Sequence, residues 1–261
     1  MDQDTIAALG LELHRALVAR STVAPLSGRG FPITVDDAYA VQTAFLSHRI
    51  TAANRIVGKK IGVTSRPVQT MLGVNQPDFG MLLAEMAVPE RGEISMATMI
   101  QPRAEGEIGF VLKRDLMGPG VTNADVLRAT DGVIACLEIV DSRITDWKIA
   151  IADTVADNAS CGVFVLGDRL VDPRHLDLAL AGMIIEKNGR IVGTGAGAAT
   201  LDSPVNAMAW LANTLGARGI PLKAGEVILS GSLAALIPVA AGDAVRVTIQ
   251  GIGTCHANFI A

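Results

Sequence analysis

A chain of 261 residues is long enough for one large domain, or one domain with a small satellite, around a sizeable core. Half of its residues are apolar and only 3% aromatic, so the core is built from Ala, Val, Ile and Leu, which argues against a disordered chain or a base-stacking platform. A formal net charge of −4 without a basic patch also argues against nucleic acid as a partner.

The acidic start Met1-Asp-Gln-Asp4 lacks the basic and apolar regions of a secretory signal, and the weakly polar stretch from Ser232 to Gly242 is too short to cross a bilayer. A cytoplasmic protein is expected. Cys136, Cys161 and Cys255 are odd in number and match no zinc spacing, so they read as buried reduced thiols.

Ile6, Leu9, Leu13, Ala16 and Leu17 repeat with helical spacing and predict a helix over 3–20. Thr34 and Asp37 form a variant capping box that opens a second helix over 35–52, with Ala38, Val41 and Phe45 on its apolar stripe. Between them, Val23 to Pro32 is rich in breakers and reads as a loop. Residues 1–55 thus form a helical N-terminal cap, set on the main body or joining subunits, ahead of a β-rich catalytic domain over 56–261.

From Ile56 the period becomes that of strands. Gly58, Lys60, Gly62 and Thr64 share one face, whose only bulk is one ammonium among glycines that leave room for a ligand; otherwise Lys59 and Lys60 are ordinary snorkelling surface residues. A short helix or turn follows at 68–72. Gly73 to Gly80 then reads as a loop in which Asp78 is a turn former or a site acid.

Glu105 and Glu107 interrupt an apolar strand pattern in Gln101-Pro-Arg-Ala-Glu-Gly-Glu-Ile-Gly-Phe-Val-Leu112. Alternate strand residues share a face, so the two carboxylates point the same way with Cα atoms roughly 6.5 Å apart. Something positive belongs between them. After a Gly118-Pro-Gly120 turn and a short helix over 122–130, the strand Val133 to Val140 is apolar on both faces except at Glu138. That carboxylate must be paired, protonated or bound to a metal, and Arg143 is its local partner if no metal is involved. Asp153 to Ser160 is polar and loop-like, and Cys161 to Gly167 is another strand.

If Glu105, Glu107 and Glu138 meet on one ion, the hard all-oxygen set selects Mg²⁺ or Mn²⁺, admits Ca²⁺ and disfavours zinc and copper. Lys60 would compensate the excess negative charge. Such an ion would chelate a 2-oxo acid and stabilise an enolate, with Lys60 and Asp78 moving protons if the site brings their pKa values toward neutrality.

Lys187-Asn-Gly189 marks a hairpin. Gly193-Thr-Gly-Ala-Gly197 departs from G-x-G-x-x-G and follows a hairpin strand, so it is no dinucleotide loop, although a helix follows at 204–215. Short strands at Glu226 to Gly231 and Asp243 to Ile249 complete an α+β fold, a mixed β-roll or barrel-like body with the helical portion at its N-terminus.

Five runs carry a family resemblance: Gly58 to Thr64, Leu72 to Gly80, Gln101 to Glu107, Glu138 to Arg143 and Asp153 to Gly162. They resemble the 2-hydroxypenta-2,4-dienoate hydratases (2-oxopent-4-enoate hydratases) of aromatic meta-cleavage pathways. Gly225 to Gly231 and Gly242-Asp243 resemble the wider fumarylacetoacetate hydrolase superfamily. The resemblance spans essentially the whole chain. It implies Mg²⁺ or Mn²⁺ on Glu105, Glu107 and Glu138, Lys60 and Asp78 at the catalytic centre, and Ser160 near the substrate. It also implies homo-oligomers and an association with a homologous decarboxylase. The sister 4-oxalocrotonate decarboxylases share the metal motif but resemble this chain less around Asp78 and Cys161, which favours hydration. A carbon–carbon hydrolase would need a placed water base, and no His lies in a site-like motif. A non-catalytic metal-binding assembly partner is the alternative outside enzymes.

Overall fold

The computed structural model describes all 261 residues. Helix α1 (Gln3–Ala19) begins at Asp2, whose carboxylate accepts the Thr5 N–H, and α2 (Val35–Ser47) begins at the expected Thr34/Asp37 capping box. The second helix ends short of the expected residue 52, because Arg49 tightens onto Leu46 in a three-residue step and Thr51 turns forward onto the Asn54 carbonyl. Next come β1 (Ile56–Gly62), α3 (Arg66–Met71), β2 (Asp78–Leu83), β3 (Ala87–Val88), β4 (Glu93–Ser95) and β5 (Pro102–Leu112). Then follow α4 (Asn123–Ala129), β6 (Thr130–Asp141), α5 (Ile151–Ala156), β7 (Cys161–Leu166), and the hairpin β8 (Gly182–Lys187) and β9 (Arg190–Ala196). Asn188 and Gly189 both take positive φ at its turn, as a tight hairpin demands. Helix α6 (Pro204–Gly216) precedes β10 (Val227–Ser232), β11 (Ile237–Pro238), β12 (Ala244–Ile249) and β13 (Gly253–Ile260).

The strands make two sheets. The larger, a curled half-barrel, runs β2-β1-β10-β5-β6-β7-β3, with β11 also on β5. Its spine is the long antiparallel pair β5–β6, in register from Pro102 opposite Asp141 to Val111 opposite Gly132. The smaller sheet runs β4-β13-β12-β8-β9. It packs across β5 at Gly106, where a Cβ would stand 2.4 Å from Met183 Sδ and 2.7 Å from Val247 Cγ1. Ala104, Gly106 and Ile108 therefore face the inter-sheet core, and Arg103, Glu105 and Glu107 face the other way. One continuous apolar core runs from Leu13 of α1 to Phe259 of β13. No helix is long and apolar enough to cross a membrane.

Two segments read as loops are ordered elements. Asp78 opens the fully buried strand β2 instead of lying in a turn. Asp153 to Ala156 belong to α5, and Asn158 to Ser160 form a single tight turn. Their polar side chains are satisfied internally: Asp153 accepts the N–H groups of Ala150 and Ser27, each at 2.8 Å. Polarity there marks buried bonding and not solvent.

Candidate active site

Pairing of β5 with β6 sets Glu105 directly opposite Glu138 and Glu107 opposite Cys136, so the three glutamates share one face. One oxygen from each lies within 4.8 Å of the others. Glu107 and Glu138 are fully buried and Glu105 is half-buried. Glu107 Oε2 accepts the Gly231 N–H at 2.7 Å from a bulge in β10. Its Oε1 has no hydrogen-bond partner, and neither oxygen of Glu138 has one. Buried carboxylate oxygens of this kind are costly unless a cation meets them, so the cluster fits a hard divalent ion.

Lys60 reaches this cluster from β1. Its Nζ lies 3.2 Å from Glu138 Oε1, an ion-pair distance without a directed hydrogen bond, and donates to the Ala159 carbonyl at 3.0 Å. Glu138 is thus paired with Lys60 and not with Arg143. Arg143 instead binds Asp157, because the chain turns after β6 and carries the guanidinium back beneath α5. Lys59, the neighbour on the opposite face, is also buried, in an ion pair with Glu226. Neither lysine is a surface residue.

Asp78 enters from β2, whose Asp78 is registered with Gly62 of β1. The glycine is required: a Cβ there would sit 2.2 Å from Asp78 Oδ1 and 3.4 Å from Lys60 Nζ. Gly62→Ala is expected to push Asp78 aside and lower turnover at least about tenfold while sparing divalent-ion affinity. Steady-state kinetics with a parallel Mg²⁺ titration checks this, and a variant with native kcat would contradict it. Ser160 follows Ala159 and is buried, its Oγ 3.5 Å from Thr154 Oγ1. Lys60, Asp78 and the three glutamates therefore converge, and Ser160 lies beside the carbonyl that holds Lys60.

Sequence reasoning passed over the device that holds this arrangement. Asn158, Ala159 and Ser160 take φ of 55°, 50° and 54°, three successive left-handed residues that each cost about 1–2 kcal/mol. Asn158 offsets this by acting as a strand partner: its Oδ1 accepts the Met81 N–H at 2.8 Å and its Nδ2 donates to the Met81 carbonyl at 2.9 Å. Gly80 lets it approach, since a Cβ there would meet the Asn158 carbonyl at 2.5 Å. Gln42 from α2 donates to Phe79 and Val155 carbonyls at 2.9 and 3.0 Å. Asn-Ala-Ser in a polar run was the available signal, hidden because its partners are distant in sequence.

Electrostatics follow from burial. Glu105 is pushed up to about 7 by burial and by Glu138, against the pull of Lys60. Glu107 is raised well above the carboxylate range by burial, Glu138 and Glu105. Asp78 is raised by burial and Glu138, with Lys60 opposing. Burial alone would lower Lys60, but Glu138, Glu105 and Asp78 outweigh it and raise the ammonium above its usual value. That direction is opposite to the shift toward neutrality expected for a proton-moving lysine, because the carboxylates beside it favour its charged form.

A carboxyl raised above its unfolded value binds its proton more tightly in the native state. Its stabilising contribution is complete below the unfolded value of 4.5 and is lost as pH rises through about 7. Metal-free protein is therefore expected to melt at progressively lower temperature from pH 5 to pH 8, by about 1.4 kcal/mol per proton per pH unit. Calorimetry at four pH values in chelator checks the sign; a Tm rising over that range would contradict it.

A cavity of about 670 Å³ lies apart from the carboxylates, lined by His14, His48, Arg49, Arg143 and Cys161 among others. None of the converging acids contributes to it. The three cysteines are free and buried.

Comparison with known proteins finds relatives along the whole chain. Residues 38–260 match the model of the fumarylacetoacetate (FAA) hydrolase C-terminal family. The 2-hydroxyhexa-2,4-dienoate hydratase of Comamonas testosteroni is 56% identical over 260 residues, 99% of this chain and 98% of its own. The 2-hydroxypent-2,4-dienoate hydratase of Pseudomonas putida is 62% identical over 222 residues, 84% of this chain and 100% of its own. Among solved structures, 4-oxalocrotonate decarboxylase from Pseudomonas putida G7, complexed with magnesium and adipate, superposes with a TM-score of 0.96 at 36% identity, covering 100% of this chain and 99% of that one. With the family match extending over most of its length and whole-chain relatives above half identity, this chain belongs to the fumarylacetoacetate hydrolase family.

Proposed function

We propose that the protein is a divalent-metal-dependent hydratase that adds water to 2-hydroxypenta-2,4-dienoate to give 4-hydroxy-2-oxopentanoate, a step of aromatic meta-cleavage catabolism. The observation that carries this reading is the convergence of Glu105, Glu107 and Glu138, with orphaned buried oxygens, beside Lys60 and Asp78. Relatives at 56% and 62% identity are named hydratases, against 36% for the decarboxylase, which supports hydration over decarboxylation.

The three glutamates would hold Mg²⁺ or Mn²⁺, which supplies Lewis-acid polarisation of a carboxylate and 2-oxygen pair. Lys60, kept as an ammonium by the acids around it, orients the anionic head of the substrate and offsets the site's negative charge. Asp78, its pKa raised and its oxygens free of hydrogen bonds, is poised to hold or release a proton. In the reaction the 2-hydroxyl gives up its proton and C5 gains one, forming the 2-oxo-3-ene. Water then adds its oxygen at C4 and a proton reaches C3. Asp78 serves these transfers beside Lys60, which stays charged throughout, and buried Ser160 lines the substrate's side of the Ala159 turn.

Loss of the dienol's ultraviolet absorbance on adding purified protein with Mg²⁺, abolished by EDTA and restored by fresh Mg²⁺, is the expected result. Unchanged absorbance would sink the enzymatic reading and leave a non-catalytic binder. Running the six-carbon dienol beside the five-carbon one ranks the two by kcat/KM. Protons leave the raised carboxyls when the cation binds, so Mg²⁺ affinity should increase with pH between 6 and 8.

Free, buried thiols suit a reducing compartment such as the cytoplasm. Exposed Leu180 and Ile191 beside and on edge strand β9 support a homo-oligomer, and association with a homologous decarboxylase belongs to the same proposal. Light scattering of the protein alone and with that partner tests both.

A further inference from the structure

Arg103, Glu105 and Glu107 form a row on one face of β5, and burial deepens along it from half-buried Arg103 and Glu105 to fully buried Glu107. The row therefore opens to solvent at its Arg103 end. Arg103 has no carboxylate partner and no hydrogen-bond acceptor within the chain, although three glutamates and Asp78 line the interior behind it. Its guanidinium instead lies 4.7 Å from the centroid of the Trp147 ring. Stacking of this kind holds the cation while leaving its N–H edge free for an anion.

The indole is itself held in place. Asp146 and Trp147 both take φ of 56°, left-handed values disfavoured for such residues, and Trp147 Nε1 donates to the Gln101 carbonyl at 3.0 Å. Gln101 Nε2 ties that corner to the Ser142 carbonyl at 2.8 Å. Strain maintained to seat a tryptophan against an unpaired arginine, one strand repeat outward from an acidic interior, is the mark of a recognition site for an anion that must pass into negative surroundings.

We propose that Arg103, seated on Trp147, is the carboxylate-recognising residue at the mouth of the site and takes the carboxylate of an incoming 2-oxo or 2-hydroxydienoate acid. It draws the anion past the acids and holds its carboxylate beside the three glutamates. The inference rests on the function proposed above for its substrate, but the ligand class it names, a 2-oxo acid carboxylate, is wider.

The test is a calorimetric titration of the Mg²⁺-loaded protein with pyruvate, combined with dienol kinetics. Arg103→Gln should weaken pyruvate at least about tenfold, the worth of a charge-assisted hydrogen bond. It should raise KM by a similar factor with kcat within about threefold, and flatten the salt dependence of kcat/KM. Arg103→Lys, which keeps the charge but loses the stacked plane, and Trp147→Leu, which frees the guanidinium, should fall between Arg103→Gln and the parent. Parent-like pyruvate affinity and KM in Arg103→Gln would overturn the proposal, as would a loss of kcat with pyruvate affinity unchanged. Should Arg103→Gln fail to fold, native binding in both other variants overturns it. Parent protein that binds pyruvate but leaves the dienol unchanged would refute the hydratase reading alone.

Discussion

Glu107→Gln is expected to abolish Mg²⁺-dependent turnover and at the same time to make the metal-free protein more stable at neutral pH. The substitution keeps an oxygen for the Gly231 N–H, which Glu107 accepts at 2.7 Å, and replaces a partnerless buried oxygen with an amide that can donate to the acids beside it. Removing a strained buried acid should return about 1–3 kcal/mol, the cost of an unsatisfied polar group, and raise Tm by a few degrees in a chain of this size. The gain should vanish near pH 4, where the carboxyl is protonated in both the native and unfolded states. Mg²⁺ affinity should fall by more than about 100-fold, beyond the loss seen when only an outer partner of a ligand is removed. Calorimetric melts and Mg²⁺ titration check the two halves. A variant less stable than the parent without metal, or still active after chelation and dialysis, would contradict the site described here.

Arg143→Met should be the most destabilising single change outside the site, by about 3–5 kcal/mol out of the 5–15 typical of a folded domain. Arg143 is 1% exposed and its guanidinium bonds Asp157, the carbonyls of Asp141 and Cys161 and the main chain of Asp157, while lying 5.6 Å from the Phe45 ring centroid of α2. Burial already pushes Asp157 up to about 6 even with Arg143 beside it, so removing the cation leaves a carboxyl that must protonate to stay inside. The left-handed turn at 158–160 begins at that residue, and with it the carbonyl that holds Lys60. Urea unfolding is expected to show the full loss together with reduced turnover. A midpoint shift corresponding to less than about 1 kcal/mol would mean that the pair contributes little.

The difference between these two sites also explains what the sequence made legible. Glu105 and Glu107 stood out because alternation along a strand is a local property, and glycines flanking Lys60 stood out for the same reason. The α+β class and the helix starts at Thr34 and Thr122 likewise depend on neighbours a few residues away. Glu138 was legible as a buried acid, yet its partner was not, since the nearest cation in sequence, Arg143, folds back onto Asp157 while Lys60 arrives from 78 positions upstream. Asp153 to Ser160 misled because polarity usually means solvent. Here Asn158 completes a strand edge at Met81 and Asp157 neutralises an arginine, contacts that exist only once β2, β6 and α5 are packed. The closing strand β13 escaped notice because its Gly253-Thr-Cys-His-Ala257 stretch has little bulk, and its place is fixed by pairing with β12 and β4.

Five side chains gathered from β1, β2, β5 and β6 carry the proposed metal-dependent addition of water. Incubating the Mg²⁺-loaded protein with 2-hydroxypenta-2,4-dienoate in H₂¹⁸O, with mass spectrometry of the product and a CO₂ trap, tests it most directly. The expected result is 4-hydroxy-2-oxopentanoate carrying ¹⁸O at C4, without CO₂, and no reaction in EDTA. Turnover that persists in EDTA, or unlabelled C4, would contradict it.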